Sequence, residues 1–277
     1  MESYISNQLN TLGHPHRLAV FRMLMRRYPD RVPAGELGSA LDIKPSTMSS
    51  YLSALQNAQI INQQRVGTSL LYAIDMHSVR KMLDYLFLDC CLGRPDLCMP
   101  FDLGNDVEDD RKFNVLFLCV GNSARSIFAE SLLREIAGDR FNVFSAGIKP
   151  SSELNPFALQ VLKDKGHDIS ALRSKNIAEF SGPNAPDLDF VFTVCNQAAN
   201  EECPAWDGQP ISGHWGMADP VKAEGAHAEK GLAFQNAYSA LKRRIEAFSA
   251  LPVESLDRLA LQSAIDEIGK SAAESTT

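Results

Sequence analysis

The sequence predicts two domains of different class. A mainly α N-terminal domain is expected over residues 1–99, and an α/β C-terminal domain with a parallel sheet over residues 113–250. Three observations carry this. A length of 277 residues suits about two domains of ~100–200 residues each. Residues 100–112, PFDLGNDVEDDRK, combine a proline, a glycine and an acidic cluster with no apolar period, as an acidic linker does. The apolar spacing is helical before that stretch, and alternates between short buried runs and amphipathic segments after it. Residues 251–277 complete the expectation with an amphipathic helix, Ser255–Ile268, and a flexible tail.

In the N-terminal part, Leu12, Ala19, Phe21 and Leu24 fit one face of a helix running through Met25, and Pro29 and Pro33 break the chain after it. Pro33 can open a short helix through Leu41. Pro45 starts a second, with Met48, Leu52 and Leu55 on one face and Ser46, Thr47, Ser49, Ser50 and Ser53 on the other. Ile60–Ile74 reads as a hairpin that turns at Gly67, with Leu70 and Tyr72 alternating after the turn. Val79, Leu83, Leu86 and Phe87 form a last helix that ends near Gly93-Arg94-Pro95. Helix, tight turn, helix and glycine-tipped hairpin is the order of a winged helix-turn-helix, whose second helix enters the major groove. Ser46, Thr47, Ser49 and Ser50 then suit phosphates or base edges, Lys44 and Arg65 suit phosphates, and Tyr51 suits either. A small helical domain with a serine-rich surface fits the same periodicity.

In the C-terminal part, FNVLFLCV from Phe113 is a buried strand, and residues 126–137 form a helix with Phe128, Leu132 and Ile136 inward. FNVFSA is a strand, Pro156–Lys165 a helix and LDFVFTV a strand. Glu229–Phe248 is a long helix with Leu232, Ala233, Ala237, Leu241 and Ile245 on its buried side, ended by Pro252. The alternation implies a parallel sheet with helices on both faces.

Composition bounds the function. With 45% hydrophobic and 22% charged residues the chain can bury real cores. Its apolar runs stop short of a membrane span, and the opening around Glu2 and Asn7 lacks a basic, apolar leader; the cytoplasm is the expected compartment, with no membrane partner. The net charge of −7 divides into +2 for residues 1–98, −3 for 99–112 and −6 for 113–277. A strongly basic nucleic-acid protein is excluded for the whole chain. A small DNA-binding module at the N-terminus is not, because a dimer doubles its charge on one face. Six cysteines are too sparse for a disulfide-stapled secreted fold. They imply thiol chemistry, soft-ion ligands or plain apolar packing.

Cys90, Cys91 and Cys98 lie in DCCLGRPDLC. Three thiolates can converge on a soft, trigonal ion, whereas a four-ligand zinc site needs another residue; idle cysteines near a dimer interface are the alternative. Taken with LGHPHRLAVFRML, LDIKPSTMSSYLSALQNAQII and the hairpin ending SLLYAI, residues 5–98 resemble the ArsR-type family of metal- and metalloid-responsive repressors. The resemblance implies a homodimer that represses an operator DNA and releases it on ligand binding. The cysteine cluster looks like a variant of the family's arsenite site, with arsenite or another soft thiophilic ion as regulatory ligand. The family often has a basic residue just past the wing glycine, where this chain has Thr68.

The sharpest signal is Cys119-Val-Gly-Asn-Ser-Ala-Arg125-Ser126, directly after a buried strand and before a helix. A cysteine followed by five residues and an arginine curls the loop over Val120, Gly121, Asn122, Ser123, Ala124 and Arg125 so that its N–H groups face inward. They cradle a tetrahedral oxyanion, aided by the helix N-terminus. That field is expected to lower the Cys119 pKa. Arg125 can grip two oxygens, Gly121 permits the tight turn, Asn122 can brace the loop and Ser126 can hydrogen-bond the Cys119 sulfur. A buried strand-end cysteine with an ordinary cap is the plain alternative. A Walker-type nucleotide loop is disfavoured, since this loop lacks Gly-Lys-Ser/Thr. An attacking thiolate benefits from an acid; Asp219 in HWGMADP is the best candidate, ahead of Asp207 and Asp189. Cys195 ends LDFVFTV at the sheet edge where Cys119 also sits, and Cys203 follows eight residues later, so an adduct on Cys119 could be resolved by Cys195 and then Cys203.

With LFLCVGNSARSIFAE, FSAG, TVCNQAANEECP and HWGMADP, residues 113–250 resemble the arsenate reductases built on the low-molecular-weight tyrosine phosphatase fold. The resemblance implies a phosphatase-type anion loop that takes arsenate or phosphate. Cys119 would be the nucleophile, Arg125 and the loop the anion site, Asp219 the acid, and Cys195 and Cys203 the shuttle. No organic cofactor is implied, but an external thiol reductant is: thioredoxin, glutaredoxin or a small thiol. Tyrosine phosphatases of this fold tend to place aromatics after the Asp-Pro, where Val221 and Lys222 stand here. Thioredoxin-coupled members usually have six residues between the last two cysteines, against seven here. The leading expectation is an arsenate reductase fused to an arsenite-responsive repressor. The rivals are a phosphomonoesterase joined to a DNA-binding regulator, a regulator with an inactive oxyanion domain, and an interaction protein.

Overall fold

The computed structural model describes residues 2–90, 111–182, 184–200, 206 and 210–271. The chain divides into two compact units, Met1–Asp106 and Val107–Thr277. Among the described residues no helix is long and apolar enough to cross a membrane.

The first unit runs α1 (Glu2–Leu12), α2 (Pro15–Arg26), β1 (Val32–Pro33), α3 (Ala34–Ala40), α4 (Pro45–Asn57), β2 (Ile61–Val66), β3 (Ser69–Ile74) and α5 (Met76–Asp84), then a π-helical segment, Tyr85–Cys90. The strands form an antiparallel sheet in the order β1-β3-β2, and Gly67 turns the β2–β3 wing with φ +59°, a conformation glycine adopts without strain. Met48, Leu52 and Leu55 of α4 face the core as expected, beside Val20, Met23 and Leu24 of α2.

Three expectations need correction here. Leu12 closes α1 and does not open α2, which starts at Pro15. The existence of α1 was hidden because its inward residues are Ile5, Gln8 and Thr11, two of them polar. Gln8 is fully buried and donates to the Ala58 carbonyl at 3.1 Å and to Ser78 Oγ at 2.9 Å. Leu83 and Leu70 are exposed; α5 turns Val79 inward as expected, but with Ser78 and Met82 beside it. The predicted end of that last helix, near Gly93, lies outside the described residues.

The second unit runs β4 (Phe113–Cys119), α6 (Arg125–Ala137), β5 (Phe141–Gly147), α7 (Pro156–Asp164), a 3-10 turn at Ile177–Phe180, β6 (Phe190–Thr193), the short α8 (Asn196–Asn200), β7 (Ile211–His214), a 3-10 turn at Pro220–Lys222, α9 (His227–Ser249) and α10 (Arg258–Ser271). The strands are all parallel in the order β5-β4-β6-β7. The central strand β4 is apolar on both faces, as burial on both sides requires. Phe113, Val115 and Phe117 point to the main core, and Leu116 and Leu118 to the smaller one.

The expectation of helices on both faces is half met. The buried apolar residues of α6, α7, α9 and α10 all belong to the main core. The other face is covered by Phe180 and Leu188, with Ile177 and Trp206 beside them. Trp206 Nε1 donates to the Phe180 carbonyl at 2.9 Å. Ile136 and Leu232 are exposed, contrary to expectation. A residue every four positions drifts round a 3.6-residue helix, so α6 continues its buried face through Leu133 and Ala137, and α9 uses Phe234, Ala237, Tyr238, Leu241 and Ile245.

The main core is held by aromatic packing. Phe192 lies 4.1 Å from Trp215, 5.0 Å from Phe248 and 5.5 Å from Phe117, ring centroid to centroid. It is fully buried in the strand that leads to Cys195. Phe192→Ala is therefore expected to destabilise this unit by about 3–5 kcal/mol, read as a lower denaturant midpoint with an unchanged slope.

Candidate active site

β4 ends at Cys119, and α6 begins at Arg125, six residues on. The intervening loop lies at the carboxyl end of the sheet, where parallel α/β folds bind ligands. Its carbonyls are turned outward: those of Cys119, Val120, Gly121 and Ser123 accept from the amides of Ile148, Lys149, Ser151 and Asn155 at 3.2, 3.0, 2.8 and 3.0 Å. The strand end that follows β5 must approach closely to do this. A Cβ on Gly147 would lie 2.5 Å from the Val120 carbonyl oxygen and 3.0 Å from the Asn122 amide nitrogen, so only glycine fits there.

Asn122 sits at the turn of the loop with φ +43°, a left-handed conformation that asparagine tolerates better than most residues. It is fully buried, and its N–H and both ends of its side-chain amide are used. Its N–H donates to Cys119 Sγ at 3.0 Å. Nδ2 donates to Ser126 Oγ at 2.9 Å and Ser145 Oγ at 2.8 Å. Oδ1 accepts the Lys175 N–H at 2.7 Å. Because Ser126 Oγ receives the Asn122 proton, its own proton is free for Cys119 Sγ, 2.9 Å away. Ser145 in turn donates to Glu130 Oε2 at 2.5 Å.

Glu130 is a carboxylate at 3% exposure, and this burial is compensated by Lys175 Nζ at 2.9 Å and by Arg134. Sequence reasoning missed Glu130, Ser145 and Lys175. The available signal was a carboxylate within the apolar face of α6.

The structure brings Arg125 and Asp219 together. Nη2 of Arg125 is 2.9 Å from Asp219 Oδ2, and Nη1 donates to the Met217 carbonyl at 3.2 Å. Asp219 caps the 3-10 turn through the Val221 N–H at 3.2 Å. Asp189, a weaker acid candidate, is taken by Arg111 at 2.7 and 2.8 Å and by the Asn114 amide; Asp207 lies outside the described residues.

The expected depression of the Cys119 pKa is corrected. Burial pushes the thiol up, and the nearby Cys195 adds to that; the Ser126 hydrogen bond, Arg125 and the Asn122 amide pull the other way without prevailing. Cys195 is likewise buried in the main core. The Val194 amide donates to the Leu118 carbonyl at 2.9 Å, so the two cysteines follow on adjacent strand ends. Cys203 lies outside the described residues, as do Cys91 and Cys98; Cys90 is exposed at the end of the π-helical segment.

In the first unit, Lys44, Ser46, Thr47, Ser49, Ser50 and Arg65 are exposed. Ser49 and Ser50 donate back to the Pro45 and Ser46 carbonyls at 2.9 and 3.3 Å, which leaves their oxygens as acceptors. Tyr51 OH is 3.1 Å from His16 Nδ1, and Arg65 Nε donates to the Gly67 carbonyl at 3.3 Å.

Residues 114–260 match the family model described as low molecular weight phosphotyrosine protein phosphatase. The chain belongs to this family. Residues 12–64 match a helix-turn-helix domain, so the fold expected for each half holds. An arsenate reductase of Bacillus licheniformis is 40% identical over 138 residues, which is 50% of this chain and 96% of that relative. An arsenate reductase of Bacillus subtilis is 38% identical over 135 residues, 49% of this chain and 94% of the relative. A solved arsenate reductase in its phosphate binding state is 29% identical, covers 50% of this chain and 97% of its own, and has a TM-score of 0.42.

In this phosphatase-family unit the Ser126 hydroxyl opposes the effect of burial on Cys119. Ser126→Ala is therefore expected to move Cys119 ionisation to still higher pH. The difference in thiolate ultraviolet absorbance between each protein and its Cys119→Ser counterpart, followed against pH, measures this.

Proposed function

We propose that the C-terminal unit reduces arsenate to arsenite through a cysteine thiol relay, and that the N-terminal unit is a DNA-binding repressor responsive to the arsenite formed. The observation that carries the catalytic reading is a shaped oxyanion loop with two buried thiols on adjacent strand ends, Cys119 and Cys195. Hydrolysis of a phosphomonoester by the same loop has no use for Cys195. The naming of the curated relatives as arsenate reductases supports the redox choice.

Arsenate enters the loop and is held by its inward N–H groups and by Arg125, which exchanges Asp219 for the oxyanion. The dianion accepts the Cys119 proton, which answers the raised pKa of the buried thiol. Asp219, released by Arg125, then faces the bound oxyanion as the acid. The Cys119 sulfur bonds to arsenic, an As–O bond breaks, and that oxygen leaves as water with the proton from Asp219.

Cys195 then attacks the Cys119 sulfur, its proton passing to an arsenic-bound oxygen. A Cys119–Cys195 disulfide forms, the S–As bond breaks, and its electron pair stays on arsenic, which leaves as arsenite, reduced by two electrons. Cys203 attacks Cys195, freeing Cys119 and leaving a Cys195–Cys203 disulfide. An external thiol donor, whether thioredoxin, glutaredoxin or a small thiol, reduces it. No organic cofactor enters these steps.

In the other unit Lys44, Ser46, Thr47, Ser49, Ser50, Tyr51 and Arg65 are the proposed operator contacts of a cytoplasmic homodimer. Cys90, Cys91 and Cys98 are the proposed soft-ion site.

Cys119→Ser is expected to drop arsenate reduction to background with operator binding intact; normal turnover by this variant would remove the nucleophile assignment. Simultaneous Cys90→Ser and Cys91→Ser should keep the protein on operator DNA when arsenite is added, as read by gel retardation. Release at the wild-type arsenite concentration would exclude the cysteine trigger.

A further inference from the structure

His214, the last residue of β7, is buried at 4% exposure and has no role in the steps above. It pairs in register with Thr193 across β6 and β7. Its ring reaches both sides of Cys195: Nδ1 is 2.7 Å from Thr193 Oγ1, and Nε2 is 3.2 Å from Asn196 Oδ1. The amide oxygen can only accept, so Nε2 carries the ring proton. Nδ1 shares its hydrogen bond with the Thr193 hydroxyl, which also reaches the Gly213 carbonyl at 3.5 Å. One side chain thus bridges the residue two before Cys195 and the residue one after it.

The backbone that follows closes against this bridge. A Cβ on Gly216 would lie 2.2 Å from Asn196 Oδ1 and 2.6 Å from His214 Nε2, so the glycine is required by the clamp. Arg244 pins the same segment through the Trp215 carbonyl at 2.7 Å. Residues 214–219 then continue to Met217 and Asp219, the two partners of Arg125. A single strap touches the turn bearing the second thiol at one end and the anion-gripping guanidinium at the other.

We propose that His214 is a positioning residue for the relay: it clamps Thr193 to Asn196 so that the Cys195 sulfur is aimed at Cys119, and the strap 214–219 holds that aim in step with Arg125. The inference rests on the reading of Cys119 as nucleophile and Cys195 as resolving thiol. Attack on the Cys119 adduct needs the Cys195 sulfur aligned with the S–As bond. A misplacement of about 1 Å in such a step costs on the order of 100-fold in rate. Oxyanion binding needs no such alignment, so loss of the clamp separates the two.

The test uses the full chain in a Cys203→Ser background, where the relay stops at the Cys119–Cys195 disulfide. Thr193→Val keeps the side-chain shape without the hydroxyl. Asn196→Ala alters an exposed side chain and leaves the core untouched. His214→Ala removes both contacts, and His214→Gln restores an amide donor toward Asn196. Disulfide formation after arsenate addition is followed by acid quench and mass spectrometry, and phosphate binding by calorimetry.

Expected are disulfide rates lower by roughly 10- to 100-fold in the first three variants, phosphate affinity unchanged, and partial recovery in His214→Gln relative to His214→Ala. In the protein with Cys203 intact, kcat falls while KM for arsenate holds. Disulfide formation at the parent rate in Thr193→Val and Asn196→Ala overturns the clamp, and so does a matching loss of phosphate affinity. If the Cys203→Ser parent itself forms no Cys119–Cys195 disulfide on arsenate, the relay reading fails, and this is seen before any clamp variant is compared.

Discussion

The two hydrogens of the Asn122 amide are divided between Ser126 and Ser145, and its oxygen takes the Lys175 amide. This arrangement sets the direction of every proton nearby. Ser126, already an acceptor, has only the sulfur to donate to. Ser145, also an acceptor, turns its proton to Glu130. Glu130, buried in its turn, is paired with Lys175 and Arg134. A net hydrogen bond contributes only about 1 kcal/mol, but leaving one of these buried groups unsatisfied costs about 1–3 kcal/mol. The network therefore holds together as a unit, and the loop inherits its shape from it.

The electrostatics of the site follow from the same burial. Desolvation outweighs three favourable contacts at Cys119 and pushes its thiol up; in the proposed reaction, activation is tied to the arrival of an anion. Arg125 is likewise held in readiness by Asp219 and the Met217 carbonyl. In the proposed reaction one incoming group takes over the guanidinium, receives the thiol proton and frees the acid, which links three events to a single binding step.

The loop was legible because its chemistry is contiguous: a buried apolar strand, a cysteine, five residues and an arginine at a helix start. The strand ends and the α4 face were legible through period. What failed did so for local reasons. α1 buries Gln8 and Thr11, so apolar spacing could not reveal it. Ile136 and Leu232 are apolar yet exposed, because spacing alone does not fix which side of a helix meets the sheet. The Cys119 pKa depends on depth of burial, which no motif encodes. The supports of the site, Glu130, Ser145, Lys175 and His214, come from four separate segments and meet only through the fold.

The placement of α10 reaches beyond the site. Leu261, Ile265 and Ile268 belong to the main core, Ile265 fills the space over Gly213, and its carbonyl accepts from Trp215 Nε1 at 3.4 Å. β7 is the edge of the sheet and also carries His214. A recombinant fragment shortened after Ala250 would strip the cover from this outermost strand and leave its apolar face open to water. Such a fragment would invite strand-to-strand self-association, so excision of the catalytic half has to retain Arg258–Ser271 to stay monodisperse.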